Sequence, residues 1–199
     1  MSSQVEICNV SLTFLGKARI NALSDNKDSA RALTAVWDMC RRAELAKRFW
    51  GFSLARAQLA ALVGAPSWGY ANQYQLPTGF IRLVQAGQYY AANALIDYRS
   101  SDDSPYAIEG QAILTDQGSP LKIRYVQDIT DPSLFNPLFA DALAARLASR
   151  VCEELTGSNT KMQTCEEWYK DAVFQAAKAN AIERPPQGIP DDSWGLARL

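Results

Sequence analysis

An α+β fold, mainly a helical bundle with an inserted antiparallel β-rich domain and an extended C-terminal tail, follows from three observations. Apolar residues recur at helical spacing over 3–62 and again over 137–182. Between them, from Gly64 to Thr130, glycines and prolines punctuate short runs of β-branched and aromatic residues. Beyond Glu183, Pro185, Pro186 and Pro190 permit neither helix nor sheet. The expected organisation is therefore 1–62 as one part of the bundle, 63–130 as the β-rich insertion, 131–182 as a helical hairpin completing the bundle, and 183–199 as the tail.

Val5, Cys8, Leu12 and Leu15 share one helical face before Gly16, which predicts a first helix over 3–15. Ile20 and Leu23 pin the following loop, and Ser24-Asp25 precede a longer helix through Leu33, Val36, Trp37, Cys40 and Leu45. Phe49, Trp50 and Phe52 around Gly51 imply a packed corner, after which alanine-rich 53–62 reads as more helix. Strands are expected at 80–84, 94–98, 112–114 and 121–126, the last alternating Leu121, Ile123 and Tyr125 with Lys122, Arg124 and Val126. The acidic 100–104 reads as an exposed loop tip.

The most strongly patterned element follows Asn136, an N-cap residue, and Pro137, whose missing N–H is harmless at the first helical position. Phe139, Leu143, Leu147, Val151 and Leu155 recur every four residues, Ala142, Ala144, Ala145 and Ala148 lie between them, and Gly157 ends the helix. So many alanines let neighbouring helices, of this chain or another, approach closely. The short link to Asn159 makes the last helix, to Ile182, its antiparallel partner.

The chain has 20 Lys and Arg against 21 Asp and Glu, so a net charge of −1 supplies no general attraction to nucleic acid or anionic lipid. It has no histidine, which removes Ser-His-Asp and Cys-His catalysis and the commonest zinc ligand. Cys8, Cys40, Cys152 and Cys165 are widely spaced among apolar residues and read as buried free thiols. The N-terminus lacks a signal-peptide pattern and no apolar run reaches about 18 residues, so no membrane partner is expected. No metal site, cofactor motif or phosphate loop is visible, and no enzyme is expected.

Three groups of residues could nevertheless carry chemistry. Glu153, Glu154, Glu166 and Glu167 offer paired carboxylates of the sort a cell-wall hydrolase uses, although consecutive glutamates on helices are commonly solvated surface. Arg41, Arg42, Lys47, Arg48 and Arg56, with Glu44 as their only local acid, form a basic cluster around the aromatic corner. It reads as a solvated face or as a contact with DNA or protein. Tyr89, Tyr90, Tyr98 and Tyr106 would serve a β insertion acting as a peptide- or glycan-binding module. Asp102-Asp103 and Asp191-Asp192 lack calcium-loop spacing.

The order of the motifs resembles one family. Leu12-x-x-Leu15-Gly16 with Ile20-x-x-Leu23, Leu45 leading to Trp50-x-Phe52, and Tyr74-Gln75-Leu76-Pro77 are followed by Ile129-Thr130-Asp131-Pro132-Ser133-x-Phe135 and by Leu143-Ala144-x-x-Leu147-Ala148 closing on Leu155-Thr156-Gly157. This succession, spread over roughly residues 5–182, is similar to the tail tubular protein A family of short-tailed bacteriophages, the head-to-tail adaptors or gatekeepers. The resemblance implies a virion structural protein assembled in the host cytoplasm, forming a twelve-subunit ring between portal protein and tail nozzle protein, with the genome passing through the lumen in transient, non-specific contact. It supplies no catalytic residues, and the tail after Pro185 has no counterpart in the family pattern. Ile189, Trp194 and Leu196 in that tail, with Trp50, Phe52, Arg41 and Arg48 at the basic corner, are the expected interface residues toward portal or neighbouring subunit.

Overall fold

The computed structural model describes residues 2–90 and 105–183. The expected strand at 94–98, the acidic tip at 100–104, and the tail beyond Glu183 lie outside the described residues. Among these residues four α-helices run Gln4–Leu15 (α1), Asp28–Lys47 (α2), Pro137–Thr156 (α3) and Asn159–Ile182 (α4). Seven described strands, Leu54–Leu59 (β1), Asn72–Gln75 (β2), Phe80–Ala86 (β3), Tyr89–Tyr90 (β4), Ala107–Glu109 (β5), Ala112–Thr115 (β6) and Leu121–Gln127 (β7), lie between α2 and α3. The fold is α+β, with the β module inserted into the helical bundle.

Local chemistry sets the helix ends. Ser3 and Glu6 form a reciprocal capping box at α1, and Gly16 ends it in the left-handed region at φ 67°. Asn136 accepts from the Leu138 amide at 2.9 Å with Pro137 at the first helical position, as read from the sequence. At the start of α2, Ser24 and Asp25 precede the helix, as read from the sequence. Asp25 accepts from the Asn21 amide at 2.9 Å and so serves a turn, and the helix begins three residues later.

The largest departure is at 53–62, where β1 stands in place of the expected helix. Alanine favours helix only weakly, and pairing along all of β7, from Leu54 opposite Val126 to Leu59 opposite Leu121, outweighs that preference. The β module therefore begins at Leu54 rather than near residue 63. Its strands form two antiparallel sheets, a four-stranded one in the order β1-β7-β3-β4 and a three-stranded one in the order β2-β6-β5.

The four-stranded sheet is the middle layer of the molecule. One face packs on the three-stranded sheet through Leu83, Leu121, Ile123, Tyr125, Tyr74 and Ile113. At one end, its other face enters the helical core, where Val84 and Val126 join Leu12, Leu33, Trp50 and Phe139. At the other end that face is open. The alanines of α3 are used within the chain: Ala140, Ala144 and Ala148 face the main core, while Ala142 and Ala145 meet Ala172 and Val173 of α4. They offer no free face to a neighbouring subunit.

Candidate functional site

The structure divides the basic cluster among three places. Arg41 is 3% exposed and ties α2 to the end of the β module, donating to Asp128, to the Ile129 carbonyl at 2.7 Å and to Asp38 at 3.1 Å. Arg42 approaches Asp128 at 3.5 Å. The Trp50 indole is buried and donates to the Glu44 carbonyl at 2.9 Å, and the half-buried Phe52 packs on Phe135 and Phe139. Arg41 and Trp50 are thus core residues, and Phe52 belongs to an internal aromatic cluster, which corrects their expected role as docking residues. A large aromatic beside a helix end reads the same in sequence whether it faces a partner or its own core. Arg48 remains exposed. Ile189, Trp194 and Leu196 lie outside the described residues.

A second place is the junction of α2, α3 and α4. Glu44 is fully buried, and its Oε2 accepts from Arg146 at 2.8 Å and from the Tyr169 hydroxyl at 2.7 Å. Lys47 donates to the same hydroxyl at 2.6 Å and lies 4.7 Å from the ring centre. Burial, with the hydroxyl's bond to Glu44, pushes the Tyr169 phenol above its ordinary value, although the nearby Lys47 draws it down. Glu44 Oε1 and Arg146 Nε have no hydrogen-bond partner among the described residues. This network borders a cleft of about 590 Å³ that Arg150, Glu153, Glu166 and Lys170 also line. Glu153 and Glu166, the candidate carboxylate pair, thus share one cleft, yet both are solvent-exposed beside Arg150 and Lys170. A general acid of the glycosidase type depends on an apolar pocket that raises its pKa, and this cleft is solvated and cationic.

The third place is the open end of the four-stranded sheet. Arg56 of β1 stands opposite Arg124 of β7, and Gln58 opposite Lys122. On the other side of β7, Gln85 of β3 pairs with Arg124. These side chains line a groove of about 510 Å³. Among the described residues no acidic residue lines it, and none of the three described cations makes an ion pair or side-chain hydrogen bond with another described residue. Lys122 and Arg124 escaped the sequence reading as site residues, although their alternation with Leu121, Ile123 and Tyr125 already placed them on one polar face. The missing signal was Arg56, which joins them only through strand pairing.

No protein-family model matches the chain, and no curated protein matches it in sequence.

Of the proposed tyrosine platform, Tyr89 is exposed in β4, whereas Tyr106 packs half-buried against the core between the sheets. Tyr90 lies in β4 and Tyr98 outside the described residues. All four cysteines are free and buried. Burial lifts the Cys40 and Cys165 thiols and pushes Cys8 up to about 12, so these three are held as thiols rather than nucleophilic thiolates. Among the described residues no three potential metal ligands come together, and no helix is long and apolar enough to cross a membrane.

Proposed function

We propose that this chain is a virion structural protein of a short-tailed bacteriophage or prophage: a head-to-tail adaptor of the tail tubular kind, forming a ring below the portal through which DNA passes. The observation that carries the reading is the ordered motif series, of which several members lie at turns of the fold and the member at 143–148 lies within α3. Leu12, Leu15 and Ile20 close the first loop onto the core. Trp50 turns the chain from bundle to sheet. Asp131 accepts from the Ser133 amide at 2.9 Å in the turn that returns it to α3.

In this reading the partners are further copies of the chain, twelve in the virion by the resemblance, with portal protein above and nozzle protein below. Ring closure needs two different complementary faces on each subunit. Exposed apolar side chains are available for them: Val63 and Trp68 on the loop between β1 and β2, Leu134 and Leu138 at the start of α3, and Phe174 and Ile182 on α4. The tail from Pro185 to Leu199 would dock on the portal or the next subunit through Ile189, Trp194 and Leu196, with Arg48 at the exposed edge of the corner.

The test is the mass of the purified protein, alone and mixed with the portal ring of the same genome, by native mass spectrometry. A complex with about a dozen copies per portal is expected from the ring symmetry, and deletion of 185–199 should abolish it while the helical circular dichroism persists. No complex at micromolar concentration would overturn the reading. A carboxylate-dependent hydrolase is the second reading, favoured only by the shared cleft of Glu153 and Glu166. Peptidoglycan degradation that Glu153→Gln abolishes would replace the adaptor with an enzyme.

A further inference from the structure

We infer that the open end of the four-stranded sheet is a phosphate-recognition groove for the backbone of a nucleic acid. The sheet face that carries it has two ends made by the same strands. At one end Leu54 and Val126 go under the helices, and Arg82 is consumed there, donating to the Ala46 carbonyl at 3.2 Å and lying over the Phe49 ring. At the other end Arg56, Lys122 and Arg124 project from paired positions with no carboxylate beside them among the described residues. Directly opposed side chains in an antiparallel pair have Cβ atoms only about 5 Å apart, where like charges destabilise the pair. A chain with 21 acidic residues to place has put none of its described ones in this groove.

The lining selects among anions. Two guanidinium forks with a lysine suit phosphate oxygens, and Gln58 and Gln85 add uncharged polar side chains. Among the described residues no aromatic ring lines the groove, so none of these offers base stacking a platform, and the contact inferred is to the backbone, without regard to sequence. Among the described residues no large exposed apolar side chain lines it either, as the Ile123 side chain belongs to the core between the sheets. An acidic protein segment normally adds such an anchor to its charges. Phosphodiester fits the groove better than peptide.

That the phosphates belong to DNA deepens the adaptor reading and rests on it, whereas the anion preference of the groove stands on the residues alone. The experiment is fluorescence anisotropy of the full chain with two duplexes of unrelated sequence from about 50 to 200 mM salt, a range over which counterion release resolves phosphate contacts. The chain should bind both duplexes equally. Arg56→Gln/Lys122→Gln/Arg124→Gln should bind at least about tenfold more weakly and lower the salt slope by about 2 to 3, near 0.9 per lost phosphate contact. Lys47→Gln/Arg48→Gln, at the other basic surface, should leave both unchanged. Unaltered melting of the triple variant separates lost binding from lost folding.

Equal DNA affinity of triple variant and wild type would overturn the inference. So would polyglutamate binding the groove more tightly than duplex, since that makes an acidic protein the partner. Portal assembly measured on the same proteins keeps the two readings apart. Loss of DNA binding in the triple variant without any portal complex of the wild type sinks the adaptor alone, and a portal complex with unaltered DNA binding sinks the groove alone.

Discussion

The helical junction around Glu44 and the sheet groove around Arg124 use the same side chains in opposite ways. At the junction a buried carboxylate, a guanidinium, a phenol and an ammonium bond to one another across three helices, with Glu44 Oε1 and Arg146 Nε left over among the described residues. In the groove two guanidiniums and an ammonium share one sheet face with no carboxylate among the described lining residues. Burying a charge is unfavourable by several kcal/mol unless a partner is built in, and the buried Glu44 has Arg146 beside it at 2.8 Å. At the wet end of a sheet the repulsion is small enough to leave. Compensated charge marks what holds the molecule together, and uncompensated charge marks what it has left over for something else.

The sharpest way to break this contrast is Glu44→Ala, which strands Arg146 at the junction. It should lower unfolding stability by about 3–5 kcal/mol in urea titration. Glu44→Leu/Arg146→Met, removing both charges together, should lose far less. A small loss for the single variant would mean that the network is ornamental.

Cys8 examines the alternative treatment of a buried ionisable group, which is to keep it neutral. Its folded-state pKa of about 12 stands above the ordinary 9.0. Its contribution to stability is therefore fully present below pH 9 and lost as pH rises toward 12, by up to about 1.4 kcal/mol per unit. Alkaline unfolding should steepen in that window, and Cys8 should resist alkylation at pH 8 until denaturant is added.

Asp128→Ala removes one of three acceptors of the buried Arg41, leaving Asp38 and the Ile129 carbonyl in place. A loss of about 1–3 kcal/mol is expected in the same titration. The smallest effect belongs to the groove. Arg124→Gln should change stability by less than about 0.5 kcal/mol, with the sign of a gain, because it relieves the opposition to Arg56. A loss of several kcal/mol would show the groove cations to be structural after all.

Where the sequence was readable, the signal was local. The cap of α3, its period of four and the terminating Gly157 lie within about 20 consecutive residues, and the structure keeps all of them. The alternation at 121–126 likewise became β7. Misreadings arose where distant segments decide. Nothing inside LARAQL announces that β7 will claim it, and its alanines pointed toward helix. Arg146 meets Glu44 across 102 residues of chain, and Arg41 meets Asp128 across 87. A run of arginines therefore looked like one exposed patch when the fold had sent its members to an interior latch, a helix end and a sheet face.

One latch has a mechanical side. The β module leaves the bundle at Leu54 and returns after Gln127, and these ends are neighbours, since Leu54 pairs with Val126. A load that pulled the sheets away from the helices would thus arrive at one end of two adjacent strands, peeling their rungs apart singly rather than shearing them all at once. Arg41 stands at that point, gripping Asp128 and the Ile129 carbonyl from α2. It would take the first tug, much as a rivet at the root of a hinge leaf stops the plate from lifting.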